Sequence, residues 1–435
     1  MNITIHRGSH QIGGCITEIE SNGYKVFMDF GEQLPGNKNT FFSEVSPVNT
    51  DLLSIEGLTC GNASKSALFI THYHGDHIGK ISEAAGDLPV YIGKTALEIY
   101  RCLEKRLCRI QDTKEADKHK KILERIKKVE TFEALQQINT GEIIVTPLFT
   151  DHSAFDAYMF IAEADGKRIL HTGDFRGHGF RKKGLIPALK KYARDIDYII
   201  SEGSNILQNN AKIQTEQELQ KEFEDSFKKY KYNFIFVSST NIDRIFALYH
   251  AAKRARRCFI CDNYQTDILK IVSKNHRERS VFYNIDYEQK KISAGRYFEL
   301  KRNGRQAFSF LGNLKAYLND HGFCMIIRSN PAFKPLLDEY GKNTDTKIYY
   351  SMWKGYINNK EAAFNENIAK FFEPYDIEFM HTSGHAGIET LNKVFDTVKE
   401  KCGIIPIHTR APDKFNELFP SHRIIPVKDG KSFTI

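Results

Sequence analysis

His72-Tyr73-His74-Gly75-Asp76-His77 places four side chains that can bind a metal ion within six residues. The motif follows the apolar run Ala67-Leu68-Phe69-Ile70, which predicts a buried strand. Nitrogen and oxygen ligands packed this densely are typical of sites for two zinc-class ions. The first two histidines can reach one ion from a single loop, and the aspartate and last histidine can face a second. The stretch therefore predicts a metal site at a strand end, provided that further ligands follow.

Further candidate ligands also come directly after strand-like runs. His152, Asp174 and Asp29 each follow such a run, and Asp174 does so within a Gly-Asp pair. Because a sheet is rigid, side chains at its strand ends can be aimed at one point. A single histidine at a strand end is more often a hydrogen-bonded structural residue than a ligand. The interpretation therefore depends on the ordered set and not on any one member.

Length and composition indicate a folded protein of two or three domains. The chain has 435 residues, of which 41% are hydrophobic and 27% charged, which excludes a disordered chain. No apolar run approaches the length of a membrane span, and Met1–Arg7 alternates like a first strand rather than a signal peptide. The 8 cysteines show no disulfide framework, which is typical of a reducing compartment. We therefore expect a cytoplasmic protein without a membrane partner.

The second half of the chain has a different pattern. From about residue 213, strand-like runs alternate with helical ones, which predicts a mainly parallel sheet. Two histidine motifs follow near the end, His381-Thr382-Ser383-Gly384-His385-Ala386-Gly387 and the strand-like run 403–407 that ends in His408. The net charge of +8 is by itself weak support for a nucleic-acid partner.

These motifs together resemble a known group of hydrolases. The HxHxDH signature of the metallo-β-lactamase superfamily matches residues 72–77 without a departure, and its later ligands and first structural aspartate match the strand-end residues above. An α/β insertion closed by a Ser-Gly-His-Ala loop and a strand-end histidine resembles the β-CASP nucleases, whose three motifs match Glu202, His385 and His408. Residues 238–244 and 351–356 are similar to the ribonuclease J branch, although Thr409-Arg410 depart from its Gly-Glu.

The resemblance implies the fold and its division along the chain. We expect an α/β protein, with a metallo-β-lactamase αββα sandwich and an inserted α/β β-CASP domain of mainly parallel sheet. The first part of the core is expected at residues 1–202, the inserted domain at 203–360 and the closing part of the core at 361–435.

The resemblance also implies hydrolysis of RNA phosphodiester bonds by a hydroxide that two Zn²⁺ ions activate, with Mn²⁺ or another divalent ion as an alternative. His385 is the candidate general acid, because the unperturbed imidazole pKa of roughly 6.5 lies close to working pH. Glu202 is expected to bond its far nitrogen, and Asp76 is also counted as catalytic. The ligand sets are expected to be His72, His74 and His152 for one ion, Asp76, His77 and His408 for the other, and Asp174 as the bridge.

Two segments are predicted to contact substrate phosphates. Ser383 and the amides of Gly384 and Ala386 are expected at a helix N-terminus, where amides can hold phosphate, although an ordinary helix cap explains them equally well. In the inserted domain, Ser239, Asn241 and Arg244 are predicted to contact backbone phosphates, because the arginine fork suits them. Arg244 could equally pair with a carboxylate.

The expected substrate is single-stranded RNA, cut from an end or internally, and a homodimer is left open. A small-molecule ester, thioester or lactone hydrolase of the same fold would explain residues 72–174 equally well, but not the set of Glu202, His385 and His408. A DNA nuclease is disfavoured by His408. A binding protein that has lost catalysis would be expected to lack at least one ligand, and the sequence lacks none.

Overall fold

The structure is a computed structural model, and it describes residues 1–34, 54–110, 112–208, 213–275, 297–300, 302–303, 307–308, 310, 312–361 and 363–435. The chain forms two compact units. Unit 1 comprises Met1–Lys212 and Gly384–Ile435, and unit 2 comprises Ile213–Ser383. Unit 2 is therefore inserted into the chain of unit 1.

The first part of unit 1 supplies the strands of two sheets and the helices that connect them. Its strands are β1 (Asn2–Arg7), β2 (Ile16–Ser21), β3 (Tyr24–Met28), β4 (Ser66–Phe69), β5 (Val90–Gly93), β6 (Glu130–Phe132), β7 (Ile138–Asn139), β8 (Ile144–Phe149), β9 (Tyr158–Ala164), β10 (Lys167–His171) and β11 (Tyr198–Glu202). Its helices are α1 (Gly75–Ile78), α2 (Lys94–Leu107), α3 (Thr113–Arg125) and α4 (Lys182–Tyr192).

Unit 2 alternates helices and strands, as the sequence pattern predicts. In chain order its elements are α5 (Glu216–Lys229), β12 (Tyr232–Phe236), α6 (Ile242–Arg254), β13 (Cys258–Asp262), α7 (Asn263–Asn275), β14 (Tyr297–Leu300), β15 (Arg302–Asn303), β16 (Ala307–Phe308), α8 (Gly312–His321), β17 (Phe323–Ile327), α9 (Lys334–Tyr340), β18 (Thr346–Tyr350), α10 (Glu366–Phe372) and β19 (Ile377–Phe379). Unit 1 is then completed by α11 (Ile388–Phe395), β20 (Gly403–Ile407), α12 (Lys414–Leu418), β21 (Arg423–Ile424) and β22 (Ser432–Thr434).

Unit 1 is built on two seven-stranded sheets, with the orders β22-β1-β2-β3-β4-β5-β6 and β21-β20-β11-β10-β9-β8-β7. The sheets pack face to face through aromatic rings, since Phe160 of β9 lies with its centroid 5.6 Å from those of Phe69 in β4 and Phe132 in β6. All four residues of β4 are buried, which explains its continuous apolar run. The predicted mixed α/β class is confirmed.

The main sheet of unit 2 has the order β14-β13-β17-β12-β18-β19, and its neighbouring strands all pair in parallel. The prediction of a parallel sheet is therefore confirmed. Its central strands are apolar on both faces, as in β12 and β17, where every residue is buried. Strands buried on both faces read as continuous hydrophobic runs rather than as alternating ones.

The predicted boundaries at 202–203 and 360–361 differ from those of the compact units. Strand β19 pairs with β18, with Ile377 opposite Ile348, so the residues after 360 complete the sheet of unit 2. At the other boundary, Ser204 and Asn205 bond to His408 and His385, which keeps this segment in unit 1.

Within the described ranges, no helix is both long and apolar enough to cross a membrane. All eight cysteines lie in those ranges, and each is a free thiol.

Candidate metal centre

The predicted ligands of unit 1 gather at one edge of the two sheets. Strands β3 and β4 run parallel, as do β10, β11 and β20, so within each set the carboxyl ends lie at the same edge. The carboxyl end of β8 joins them, because β8 and β10 are both antiparallel to β9. Side chains at these ends converge from positions far apart in the chain, which is the usual place for a site in such sheets. The residues concerned are Asp29, His72, His152, Asp174, Glu202 and His408.

The first group of potential ligands is formed by His72, His74 and His152, whose nitrogen atoms all lie within 4.8 Å of one another. His74 Nδ1 is 3.1 Å from His72 Nε2 and 3.4 Å from His152 Nε2. Two nitrogens bound to a tetrahedral zinc ion at about 2.0–2.1 Å would be separated by about 3.3 Å. The spacing of this group therefore fits one ion.

The second group is formed by Asp76, His77 and His408, again with ligand atoms within 4.8 Å of one another. Asp76 Oδ2 lies 3.4 Å from His408 Nε2 and 3.7 Å from His77 Nε2. Helix α1 begins at Gly75, so Asp76 and His77 belong to one helical turn directly after the loop that carries the first group. One short motif thus contributes potential ligands to both groups.

Asp174 faces both groups. Its Oδ2 atom lies 3.2 Å from His77 Nε2 and 3.9 Å from His72 Nε2, and its Oδ1 atom lies 3.6 Å from His408 Nε2. Asp174 Oδ1 is buried and accepts no hydrogen bond from any described residue. A buried carboxylate oxygen without a partner is costly, and a cation would satisfy it. The position and the unsatisfied oxygen both fit a bridging ligand.

Four of the histidines share one arrangement, in which Nδ1 binds a protein group and Nε2 faces the cluster. His152 Nδ1 donates to the Gly384 carbonyl at 2.9 Å, and His77 Nδ1 donates to Asp29 Oδ2 at 2.7 Å. His72 Nδ1 lies 3.0 Å from Thr71 Oγ1, and His408 Nδ1 lies 2.7 Å from a serine hydroxyl, that of Ser204. Such outer partners orient ligating histidines in metal sites.

The hydroxyl of Thr71 also determines the tautomer of His72. Because it donates to Asp29 Oδ2 at 2.8 Å, its remaining role toward His72 is to accept, so Nδ1 carries the proton and Nε2 presents a lone pair to the cluster. Asp29 accepts a third bond from the Thr71 amide at 2.7 Å. Asp29 thus supports both ligand groups, and it does so from a left-handed backbone conformation with φ of 64°.

The electrostatics of the cluster also suit a cation. Burial holds the pKa of His72 and His152 well below the usual value, and lowers that of His74 to about 4, so these three rings are neutral and their lone pairs could bind a cation. His77 differs, because Asp174, Asp29 and Asp76 raise its pKa well above normal although burial alone would lower it. Negative charge therefore dominates at the second group. The donor set, its spacing and its charge all fit divalent metal ions.

A carboxylate–histidine pair lies beside the ligands. His385 Nδ1 is 3.0 Å from Glu202 Oε2 and 3.7 Å from Asp174 Oδ2, and the side chain is 26% exposed. Burial lowers the pKa of His385, but Glu202 and Asp174 outweigh it and raise the pKa to about 9. Glu202 also accepts from the amides of Phe175 at 3.0 Å and Ala386 at 3.3 Å. These bonds fix the position of the Glu202 carboxylate, and the carboxylate in turn orients the ring of His385.

Several predicted phosphate contacts have other roles in the structure. The Ala386 amide donates to Glu202, a role that differs from the predicted one. Helix α11 begins at Ile388, so Ser383, Gly384 and Ala386 precede its first turn and are not at the predicted helix N-terminus. Gly384 instead supplies the carbonyl that accepts from His152. Ser383 is half-buried.

Arg244 in unit 2 is paired with a carboxylate, which was the alternative to phosphate binding. It is fully buried, and its Nε and Nη2 atoms donate to the two carboxylate oxygens of Glu216 at 2.9 and 2.8 Å. It also donates to Ser351 Oγ. The structure thus shows the carboxylate pairing, with the guanidinium buried. Asn241 Oδ1 caps helix α6 by accepting from the Arg244 amide at 3.0 Å, and Ser239 is half-buried.

Sequence reasoning missed the residues that orient the histidines. Thr71, Ser204 and Asn205 each contact a site histidine, at its ring or its backbone. Two signals in the sequence could have indicated these orienting residues. Thr71 is adjacent to His72, and Ser204 and Asn205 closely follow the strand-end Glu202. His171, which precedes Asp174, accepts from the Gly173 amide at 3.2 Å, and burial lowers its pKa to about 4.

Comparison with known proteins agrees with this geometry. Residues 53–202 match the family model of the metallo-beta-lactamase superfamily. The chain is also similar to a ribonuclease J from Mycoplasma genitalium, with 23% identity over 204 residues, which are 46% of this chain and 32% of that protein. The match thus spans about a third of the length of this curated relative.

A solved structure resembles the whole chain. It is the crystal structure of a protein of unknown function from Enterococcus faecalis V583, with a TM-score of 0.69 and 17% identity, and the match covers 100% of this chain and 99% of that one. At this identity the likeness shows the fold alone. The two packed sheets and the histidine–aspartate cluster at their edge are consistent with the match of residues 53–202 to the metallo-beta-lactamase superfamily.

Proposed function

We propose that this protein is a zinc-dependent ribonuclease of the β-CASP group that hydrolyses phosphodiester bonds in single-stranded RNA. The observation that carries the proposal is the Glu202–His385 pair beside Asp174. These residues, with His408, also form a group close enough to hold an ion, and the partial exposure of His385 is what favours the proton-donor role. The similarity to ribonuclease J supports RNA as the substrate class.

Zinc is proposed because five of the seven expected ligands are imidazoles, which suit zinc better than magnesium or calcium. The ions would be held by the two histidine groups and bridged by Asp174. When bound, they would lower the pKa of a water molecule and stabilise charge on the phosphoryl oxygens. Asp76 belongs to the second group, so its proposed catalytic role is that of a ligand.

His385 is proposed to supply the proton to the leaving group. As water oxygen bonds to phosphorus, the bond from phosphorus to the departing sugar oxygen breaks, and that oxygen needs a proton. Glu202 holds Nδ1 of the ring, so Nε2–H is the group that can give it. The carboxylate also stabilises the protonated ring before transfer. The partial exposure of His385 leaves the ring accessible to a substrate.

The remaining parts of the proposal follow from the same similarity. Unit 2 would be the inserted β-CASP domain, since it is an α/β unit with a parallel sheet that interrupts unit 1. The eight free cysteines support a reducing, cytoplasmic location. A homodimer, if present, would be detected by sedimentation of the full chain.

The decisive experiment compares end-labelled single-stranded RNA, the same sequence as DNA, and a small ester, thioester and lactone. We expect zinc-dependent cleavage of RNA that a chelator abolishes and zinc restores, with no turnover of the small substrates. His321→Ala is the control for His385→Ala, because His321 is an exposed histidine in unit 2. Turnover of an ester or lactone with RNA left intact would contradict the proposal, and preferential cleavage of DNA would make the protein a DNA nuclease.

A further inference from the structure

The turn that follows β11 connects with both of the late histidine motifs. Three neighbouring side chains, those of Glu202, Ser204 and Asn205, bond to segments that lie far along the chain. Glu202 Oε2 contacts the ring of His385 at 3.0 Å, Ser204 Oγ contacts the ring of His408 at 2.7 Å, and Asn205 Nδ2 donates to the His385 carbonyl at 2.9 Å. One short turn thus contacts both the candidate acid, His385, and the candidate ligand, His408, through different side chains.

Ser204 determines which nitrogen of His408 carries a proton. Its hydroxyl donates to the His408 carbonyl at 3.2 Å, so toward the ring it acts as an acceptor. His408 Nδ1 is therefore the protonated nitrogen, and Nε2 presents its lone pair to Asp76 and Asp174 at 3.4 and 3.6 Å. The hydroxyl of Thr71 accepts from Nδ1 of His72 in the same way, so the same arrangement occurs twice in this site.

Ser204 also supports an unusual backbone at His408. The φ angle of His408 is 51°, in the left-handed region that a residue with a Cβ seldom adopts. Such conformations persist where surrounding bonds hold them, and they cluster at functional sites. Two bonds hold this one, since the His408 amide donates to the Gly8 carbonyl at 2.8 Å and the His408 carbonyl accepts from Ser204. Loss of the hydroxyl would release both the ring and the carbonyl.

Asn205 acts on the other motif through a backbone carbonyl of that motif. The side chain is 5% exposed and donates to the carbonyl of His385, while Glu202 binds the ring and the following amide of Ala386. Ring and backbone of His385 are therefore held by two different side chains. Asn205 positions the backbone of His385, and Glu202 orients its ring.

We propose that Ser204 and Asn205 are separate positioning residues, Ser204 for the metal ligand His408 and Asn205 for the proton donor His385. The assignment rests on the proposed function, but each half has a readout that does not depend on RNA cleavage. It predicts that substitutions at these two neighbouring positions impair two different properties. Ser204→Ala should impair metal binding, and Asn205→Asp should impair proton donation.

For Ser204→Ala we expect zinc affinity at one of the two sites to fall 10–100-fold, as is typical when an outer partner of a ligand is removed. The site of His72, His74 and His152 should be less affected, because the bonds of these rings go to Thr71, to Gly384 and to one another. Ser204→Thr keeps the hydroxyl and should restore affinity. Calorimetric titration of zinc into the chelator-stripped full chain measures both sites. Ser201→Ala is the matched control, since its hydroxyl donates to the Glu202 carbonyl.

For Asn205→Asp we expect both zinc affinities to remain within about 3-fold of the wild type, which is far less than a ligand-partner change produces. The substitution keeps the shape of the side chain and replaces its donor with an acceptor that repels the His385 carbonyl. The kcat for RNA should fall on the order of 10-fold or more, up to the roughly 10²–10⁴-fold assigned to general acid catalysis, with KM unchanged.

Side-chain nitrogen NMR of the histidines provides the readout that separates failure of this inference from failure of the proposed function. Ser204→Ala should change the Nδ1 and Nε2 shifts of His408 and leave those of His385, whereas Asn205→Asp should do the reverse. If the wild type binds zinc but cuts no RNA, the proposed function fails while these shifts still test the positioning roles. Equal loss of zinc in both variants, or unchanged shifts in both, would overturn the inference.

Discussion

Both units carry buried polar side chains that the sequence predicts to be functional, but the two sets are used differently. In unit 1 the predicted ligands face one another, and a buried oxygen of Asp174 has no hydrogen-bond partner among the described residues. In unit 2 Arg244 has its donors matched by Glu216 and Ser351. Unmatched buried polar atoms indicate a site for a missing partner, whereas matched ones indicate structure. This difference separates Asp174 in the cluster from Arg244 in unit 2.

The largest expected effect comes from Asp174→Ala, because this carboxylate faces both ligand groups. Zinc affinity should fall at both sites, by more than the roughly 10–100-fold that follows loss of an outer partner. Metal analysis after dialysis measures the content, with Asp117→Ala as control, since Asp117 is an exposed aspartate on α3. Full occupancy in the Asp174 variant would remove the bridging role.

His385→Ala should lower RNA hydrolysis on the order of 10²–10⁴-fold, the usual contribution of a general acid. The variant should keep its zinc, because His385 is not needed for either three-residue group that matches the predicted ligand sets. Rate and metal content are measured on the same preparation. A variant that lost zinc together with activity would make His385 a ligand instead.

Arg244→Ala tests whether the matched, buried Arg244 of unit 2 has a structural role. Removing the guanidinium takes the ion-pair partner from the buried Glu216, which should cost roughly 3–5 kcal/mol of unfolding free energy. Urea unfolding measures this cost, and the zinc content of the folded protein should not change. A double change to Met at 244 and Gln at 216 should recover much of the loss. Unchanged stability with a weaker salt dependence of RNA binding would instead support phosphate contact.

The smallest effect is expected from Asp29→Asn, which removes a charge outside the ligand groups. Asparagine tolerates the left-handed backbone at this position, so the fold should be kept. Because Asp29 holds both His77 and Thr71, zinc affinity should fall about 10–100-fold. Competition with a zinc chelator measures this change. Unaltered affinity would show that the ligands are oriented without Asp29.

The sequence predicted the strand-end residues of the cluster because histidine and aspartate at fixed spacing are rare outside metal sites. It did not predict Ser204 and Asn205, whose partners lie 204 and 180 residues away and whose residue types are common in any turn. Arg244 shows the opposite error, since its partner Glu216 is visible in the sequence but is one of many glutamates. Pairings between distant residues depend on packing, which local patterns do not encode.

The placement of β20 in the second sheet of unit 1 has a consequence for biosynthesis. Asp76 and His408, which lie 3.4 Å apart in the second group, are 332 residues apart in the chain. At about 5–20 residues per second, a ribosome needs roughly 15–70 s to travel between them. During that interval unit 2 emerges whole while β11 waits for its parallel neighbour β20. A nascent chain would therefore carry six of the seven expected ligands, all except His408, before β20 can pair with β11 and complete the cluster.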